Sequence, residues 1–573
     1  MSAIDWIVFF AFLAYVVWDG ARRGAQSENL EGYFAGGRTI PWWAAGLSVM
    51  ATQASAITVI GTTGQGHETG MEFVQTYFGL PFAMILLCIF MVPLLRKNPI
   101  LTAYEYLEGQ FGPATRTLAS VIFLISRCLA FGVVIYAPAV VLSAMTGFNL
   151  TFMVILIGLL TTAYTMAGGI NAVVWTDVKQ MTVIFFGLFL CVGILLWELL
   201  PRMGFMDMLR VMGASGKLNA LELQPASWDM IPNWKSAAGA TSTFWQDTYN
   251  VWSGFFGGIF LMLSYFGCDQ SQVQRILTNP TADESRKTLL LSAFAKVPMQ
   301  VLILFLGALL YLYGTVLGSP MLYNPDHVAL ARSETFAAQI EPIQQRYDRL
   351  VEERSRLAIQ LAEAEGSPRQ SPELLARFQG TVRQVAQARE EARKLLLENA
   401  SENRDTNYVF PHFILNNLPP VILGLLVAAI FAAAMSSADS ALNSLSSATI
   451  VDLYKRWLRP DADDAASLRA GRLATLFWGI AATVAAMQFA GAGSVVELVN
   501  KVGSYFYGSL LGVFVISMIS RKAGPKAGVA SLLGGMGTVF LIDQTIQVAF
   551  LWYNLFGFLG SLAIGLIAAR FDD

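Results

Sequence analysis

Residues 46–58 read Gly46-Leu47-Ser48-Val49-Met50-Ala51-Thr52-Gln53-Ala54-Ser55-Ala56-Ile57-Thr58, and the chain continues through Gly61 and Gly64. The stretch lies inside a long apolar run, 40–61, yet it is built of small side chains and hydroxyls. A second stretch has the same character: Ala432-Ala433-Ala434-Met435-Ser436-Ser437-Ala438-Asp439-Ser440, then Asn443, Ser444, Ser446 and Ser447, inside the run 411–449. In lipid, irregular backbone survives only where protein or a polar cavity satisfies its free groups. Two readings follow. Small residues let helices pack closely, or unwound carbonyls and neighbouring hydroxyls hold a sodium ion, a hard cation that wants several oxygen ligands. Composition by itself favours packing.

The surrounding chain is that of a membrane protein. Of 573 residues, 38 are Lys or Arg and 40 Asp or Glu, so only 14% are charged against 55% hydrophobic. Mean hydropathy is +0.52. Soluble domains carry about 25% charge, which excludes a soluble enzyme as the default, and a net charge of −2 argues against nucleic acid as a partner. A spanning helix needs roughly 20 apolar residues. Thirteen runs qualify, near 4–18, 40–61, 71–95, 117–145, 149–167, 172–200, 245–268, 287–318, 411–449, 470–490, 495–519, 525–542 and 546–569. They are numbered here as spans 1 to 13. The first lacks a basic leader and a small-residue cleavage site, so it reads as a retained helix. The three His and four Cys form neither metal-ligand spacing nor a disulfide framework.

Basic residues collect in alternate loops: Arg22, Arg23 and Arg38; Arg96, Lys97 and Arg116; Arg275, Arg286 and Lys287; Lys455 to Arg472; Arg521, Lys522 and Lys526. The short loops near 62–70, 146–148, 491–494 and 543–545 contain none. The positive-inside rule therefore predicts a multi-pass protein of the plasma (inner) membrane with its N-terminus outside and its C-terminus in the cytoplasm.

One outside segment breaks the pattern. Within 331–400, 22 of 70 residues are charged. Leu350, Leu357 and Leu361 fall at helical spacing, as do Leu374, Phe378 and Val382, with Gly366-Ser367-Pro368 between the two sets. This predicts a helical hairpin standing out of the membrane. It reads either as a solvated spacer or as a lid or docking site for an unknown partner.

Ionisable residues stranded in the spans are Arg127, Asp177, Lys296 and Asp439. Each must face protein, water or an ion. Asp439 follows Ser436 by three residues, on the same helix face.

Several stretches together resemble the sodium:solute symporter family. They are Tyr33-Phe34-Ala35-Gly36-Gly37-Arg38 with Pro41-Trp42-Trp43; Ala103-Tyr104-Glu105-Tyr106-Leu107; Gly168-Gly169 with Ala172-Val173-Val174-Trp175-Thr176-Asp177; Asp269-Gln270-Ser271-Gln272-Val273-Gln274-Arg275; and Met435-Ser436-Ser437-Ala438-Asp439-Ser440. The resemblance implies an all-α membrane protein with about 13 transmembrane helices. Its core would be a five-plus-five inverted repeat of the LeuT-like kind, spans 2–6 and 7–11, with the first helix of each repeat broken. The chain then divides into 1–39, an extra helix and cytoplasmic loop; 40–318 and 411–520, the core; 319–410, the hairpin insert; and 521–573, two further helices.

The resemblance also implies sites. One or two sodium ions are the coupling ions. The common sodium site maps to the carbonyls of Ala51, Ala54 and Ala433 and the hydroxyls of Ser436 and Ser437. A second cation site, of the sialic-acid type, maps to Asp177, Ser436, Asp439 and Ser440. That branch has Ser where Asp439 stands, and the extra carboxylate suits either a cation or a proton. The solute cavity maps to Gln53, Ser55, Thr58, Gln75, Tyr77, Tyr265, Phe266, Lys296 and Asn500. Arg127 stands about one turn from the Arg with which sialic acid transporters grip a carboxylate. The expected function is sodium-coupled import of a small polar solute by alternating access, marginally an organic anion of the sialic acid or monocarboxylate type. A neutral sugar or polyol is the alternative. A membrane solute sensor is more distant, because no kinase-like or receiver-like domain follows span 13. No nucleophile–base pattern supports an enzyme.

Overall fold

The computed structural model describes residues 1–24, 29–56, 58–224, 227–230, 232, 243–364, 372–396, 405–488 and 495–572, without the side chains of 24 and 495–502. Every regular element among them is helical. Eight helices are long and apolar enough to cross a membrane, and a ninth crossing is the bent pair Trp42–Gln53 and Thr58–Thr69. Each of the thirteen apolar runs contains helix, some of it too short or too polar to qualify alone. Leu150–Leu199 is two arms meeting at Gly169, whose φ of 57° and ψ of −153° break the helix between the runs 149–167 and 172–200. A Cβ there would meet the carbonyl oxygen of Tyr33 at 2.4 Å, so only glycine fits.

The two halves of the bent pair meet at 65°. Hydroxyls explain why the helix stops. Thr58 Oγ1 donates to the carbonyl of Gln53 at 2.8 Å, and the Thr58 N–H reaches Ser55 Oγ at 3.4 Å. These local bonds compete with the helical ladder. Span 7 differs: a π turn, Ser253–Gly257, runs on into Gly258–Cys268, and the chain breaks at Asp269 before Gln270–Leu277. The bent pair of span 2 is the one such pair among the described residues.

Two basic residues counted above as loop charges are interior ones. Arg116 is buried and bonds Asp452 and Glu108, both at 2.7 Å. Arg275 is fully buried within Gln270–Leu277.

The insert is not a free spacer. Its helices, Ala337–Glu363 and Pro372–Leu396, pack on each other, and the first also packs on Ala282–Leu317 and Phe205–Ala214. Tyr347, Ile343, Val385 and Ala392 form a small core with Met321. Leu357, Leu361 and Phe378 are continuous with the main core. The predicted Gly366-Ser367-Pro368 turn lies outside the described residues.

The first helix, Ala3–Gly24, is tied in by Asp5, whose carboxylate accepts the N–H groups of Val421 at 2.8 Å and Gly424 at 3.2 Å. That caps Ile422–Ala448, the helix carrying the second small-residue stretch, and holds Val421 at φ 74°. Losing such a cap costs about 1 kcal/mol. Asp5→Ala is expected to lower the melting temperature of the detergent-purified protein while Asp5→Asn retains most of it; equal melting of all three proteins would contradict the cap.

Candidate ion and solute site

The site is built where the break in span 2 meets Ile422–Ala448; the two pack directly. The last bond of Trp42–Gln53 runs from the Ala54 N–H to Met50 O at 2.7 Å, so the carbonyls of Ala51 to Ala54 lie past the ladder, which resumes with the Val59 N–H on Ser55 O at 3.1 Å. Thr58 takes that of Gln53, and Ser437 Oγ donates to that of Thr52 at 3.3 Å. Ala51, Ala54, Ala433, Ser436 and Ser437 are all buried here. The five residues expected at the common sodium site thus lie on the two helices that touch. Their donors are oxygen throughout, as a hard cation requires.

One turn deeper lies a network of three buried charges. Asp177 Oδ2 accepts from Ser48 Oγ at 2.5 Å and faces the Arg275 guanidinium at 3.5 Å; Oδ1 accepts from Ser436 Oγ. Arg275 Nε donates to Ser48 Oγ at 2.7 Å, and its other nitrogens bond Ser271 O and Ser440 Oγ. Asp439 Oδ2 accepts from Tyr164 OH at 2.5 Å, and Oδ1 accepts from Ser440 Oγ at 3.2 Å. Thr52 Oγ1 and Ser440 Oγ, 2.9 Å apart, join this network to the break. Asp177, Ser436, Asp439 and Ser440 are therefore brought together. Asp177 faces the guanidinium directly and Asp439 reaches it through Ser440, so with both carboxylates ionised one negative charge away from water is left uncompensated. Such a charge is costly unless a proton or a cation joins it.

Beside the break is a cavity of about 180 Å³. Gln53, Ser55, Thr58, Tyr77, Arg127 and Tyr265 line it, together with Thr52 and Ser437 from the ion region. Arg127 stands over the Tyr265 ring at 5.8 Å, bonds Ser271 Oγ, and lies 3.5 Å from Asp269 Oδ1. Its Nε is buried with no hydrogen-bond partner among the described residues.

Other residues expected at the cavity lie elsewhere. Gln75 is buried and structural: its Oε1 accepts the Glu222 N–H at 2.9 Å and its Nε2 donates to the carbonyls of Glu72 and Tyr249. Phe266 is buried in the core, outside the cavity wall. Lys296 is buried behind the wall, its ammonium 5.7 Å from the Tyr77 ring and without a hydrogen-bond partner among the described residues. The Asn500 side chain is outside the described residues.

Sequence reasoning missed Arg275, Tyr164 and Ser48 as members of the ion network. Arg275 fell just past an apolar run and so read as a loop charge. The available signal was its place at the end of Asp269-Gln270-Ser271-Gln272-Val273-Gln274-Arg275, a polar segment whose every residue is buried.

The sodium:solute symporter family model matches residues 33–338 and 396–535. The chain is 23% identical over 572 residues to the sodium/sialic acid symporter NanT of Aliivibrio fischeri, covering 99% of this chain and 93% of that one. It is 24% identical over 569 residues to the sodium/sialic acid symporter SiaT of Proteus mirabilis, covering 99% and 95%. A Na+-coupled sialic acid symporter, solved substrate-bound and outward-open and described as having a novel Na+ site, superposes with a TM-score of 0.74 at 22% identity, covering 100% of this chain and 98% of that one. That likeness establishes a shared fold. With two family-matched blocks spanning most of its length, the chain belongs to the sodium:solute symporter family.

Proposed function

We propose that this sodium-coupled symporter imports a small organic anion of the sialic acid or monocarboxylate type. The observation that carries the reading is a shared wall: Thr52 and Ser437 border both the oxygen-lined break and the cavity that exposes Arg127. An ion drawing on Ser437 and the carbonyls of Ala51, Ala54 and Ala433 shapes the wall against which a solute rests. The Arg127 guanidinium in the cavity wall suits a carboxylate oxygen. The sodium/sialic acid relatives support the same substrate class.

Sodium entering from outside stabilises the arrangement of the break against Ile422–Ala448 in which the cavity is complete. Solute binds, and the core rocks to open inward. In this reading the N-terminus lies outside, the C-terminus in the cytoplasm, and the repeat comprises spans 2–6 and 7–11 of thirteen. Each sodium moving down 100 mV supplies about 2.3 kcal/mol before its concentration gradient is added. The surplus charge shared by Asp177 and Asp439 supplies a second cation site with Ser436 and Ser440, so two ions drive uptake. A neutral sugar or polyol is the second reading. The favouring observation is Asp269, which already faces Arg127 at 3.5 Å and leaves that wall formally neutral.

Ser437→Ala removes one ligand and is expected to raise the sodium concentration for half-maximal uptake in proteoliposomes about tenfold; an unchanged sodium curve would sink the assignment. Asp439→Asn removes the surplus charge and should make sodium activation less steep. Equal steepness, with loss of any acid dependence of uptake, would instead identify a proton at that carboxylate. Arg127→Gln is expected to abolish uptake of sialic acid or short monocarboxylates, whereas sustained uptake of a neutral hexose by the parent protein and this variant alike would establish the sugar reading. Solute binding with no sodium-driven uptake would mark the protein as a sensor.

A further inference from the structure

A second cavity, of about 300 Å³, lies between the hairpin and the end of the broken helix Thr58–Thr69. Its walls carry Lys217, Tyr311, Arg354 and Arg389 among others, drawn from four separate segments of chain. Arg354 is 4% exposed, and its bonds go to Gly314 O at 2.9 Å and Ser319 Oγ at 3.2 Å. Arg389 bonds the carbonyls of Pro320 and Met321, both at 2.9 Å, and Tyr347 OH at 2.8 Å. Lys217 donates to the backbone carbonyl of Glu68 and stands 4.4 Å over the Tyr311 ring. Among the described residues no carboxylate lies within ion-pair distance of these three cations.

The carboxylates on the same walls are engaged elsewhere. Asp405 Oδ1 accepts the N–H groups of Tyr323 at 2.7 Å and Asn324 at 2.6 Å. Glu68 Oε2 accepts from Thr406 at 2.8 Å, and Glu390 pairs with Arg393 at 3.3 Å. Arg354 Nε and Tyr311 OH, both buried polar atoms on lining residues, have no hydrogen-bond partner among the described residues. Both can donate. Burial pushes the Lys217 ammonium down to about 8; Arg389 and Arg354 push the same way, against Glu68 and Glu72. The cavity is short of acceptors and of negative charge.

We infer that this cavity is a binding site for a small oxyanion, a carboxylate or phosphate group, held by Lys217, Arg354 and the Tyr311 hydroxyl. The family model skips residues 339–395, so the hairpin half of the site lies outside the family-matched blocks. A bound oxyanion joins the hairpin to the end of the broken helix, because Lys217 already holds the carbonyl of Glu68 and Thr406 its carboxylate.

The test is thermal stabilisation of the full-length protein in detergent by acetate and, separately, by inorganic phosphate. Buffers are sodium-free with ionic strength held constant by potassium chloride, so the coupling ion is absent, and the same shifts measured in Arg127→Gln separate acetate bound here from a monocarboxylate in the other cavity. One or both anions should stabilise saturably, and the tighter of the two identifies the oxyanion. Lys217→Gln and Tyr311→Phe should each weaken that effect about tenfold. Arg377→Gln, on an exposed side chain outside the cavity, should leave it unchanged. Tyr311→Phe keeps the ring and its packing, so a folding defect in the lysine variant does not blur the result. No saturable stabilisation by either anion, or stabilisation equally strong in both cavity variants, would overturn the site.

Discussion

The polar interior hangs on the pairing of Asp177 with Arg275, through Ser48 on one side and Ser436 and Ser440 on the other. Four separate parts of the chain meet there: the first half of the broken helix, the arm after Gly169, the Gln270–Leu277 helix and Ile422–Ala448. Breaking such a buried pair by removing one partner is expensive, because the survivor is left charged and unsolvated. The pair therefore fixes the register of those elements. Asp439, one helical turn from Ser436, then adds a charge that Arg275 does not cancel. A charge of this kind is costly in the interior unless a proton or a cation joins it.

The break in span 2 adds backbone oxygens to this charge arrangement. An intact helix would hide every carbonyl in its own ladder. Ending the ladder at Ala54 takes the carbonyls of Ala51 to Ala54 out of it, and Thr58 and Ser55 hold the chain in the bent form. Ser437 then spans the two regions, bonding Thr52 on one side and lining the solute cavity on the other. In the proposed reading one side chain serves both, so an ion and a solute sense each other without a long relay.

Much of this was readable in the sequence, for a physical reason. Lipid tolerates neither free carbonyls nor bare charges, so Asp177, Asp439, Arg127 and the hydroxyl-rich stretches stood out against apolar surroundings. What was not readable depended on long-range contact. Arg275 lies just past an apolar run, and only the fold turns its helix inward. Gln75 and Lys296 carry the right chemistry, but the first is spent on Glu222 and the second sits behind Tyr77. The hairpin's amphipathic spacing was plain; its docking was not, since Arg354 reaches the carbonyl of Gly314, 40 residues away.

The most direct test of coupling through Ser437 is the linkage between ion and solute at equilibrium. Solute affinity is measured by calorimetry on purified protein over a series of sodium concentrations, and sodium affinity with and without solute, using sialic acid, short monocarboxylates and a neutral hexose. Binding free energies must couple reciprocally. The account predicts that sodium tightens binding of the transported solute and that the solute tightens sodium by the same factor. Solute affinity that stays constant across the sodium series would contradict it.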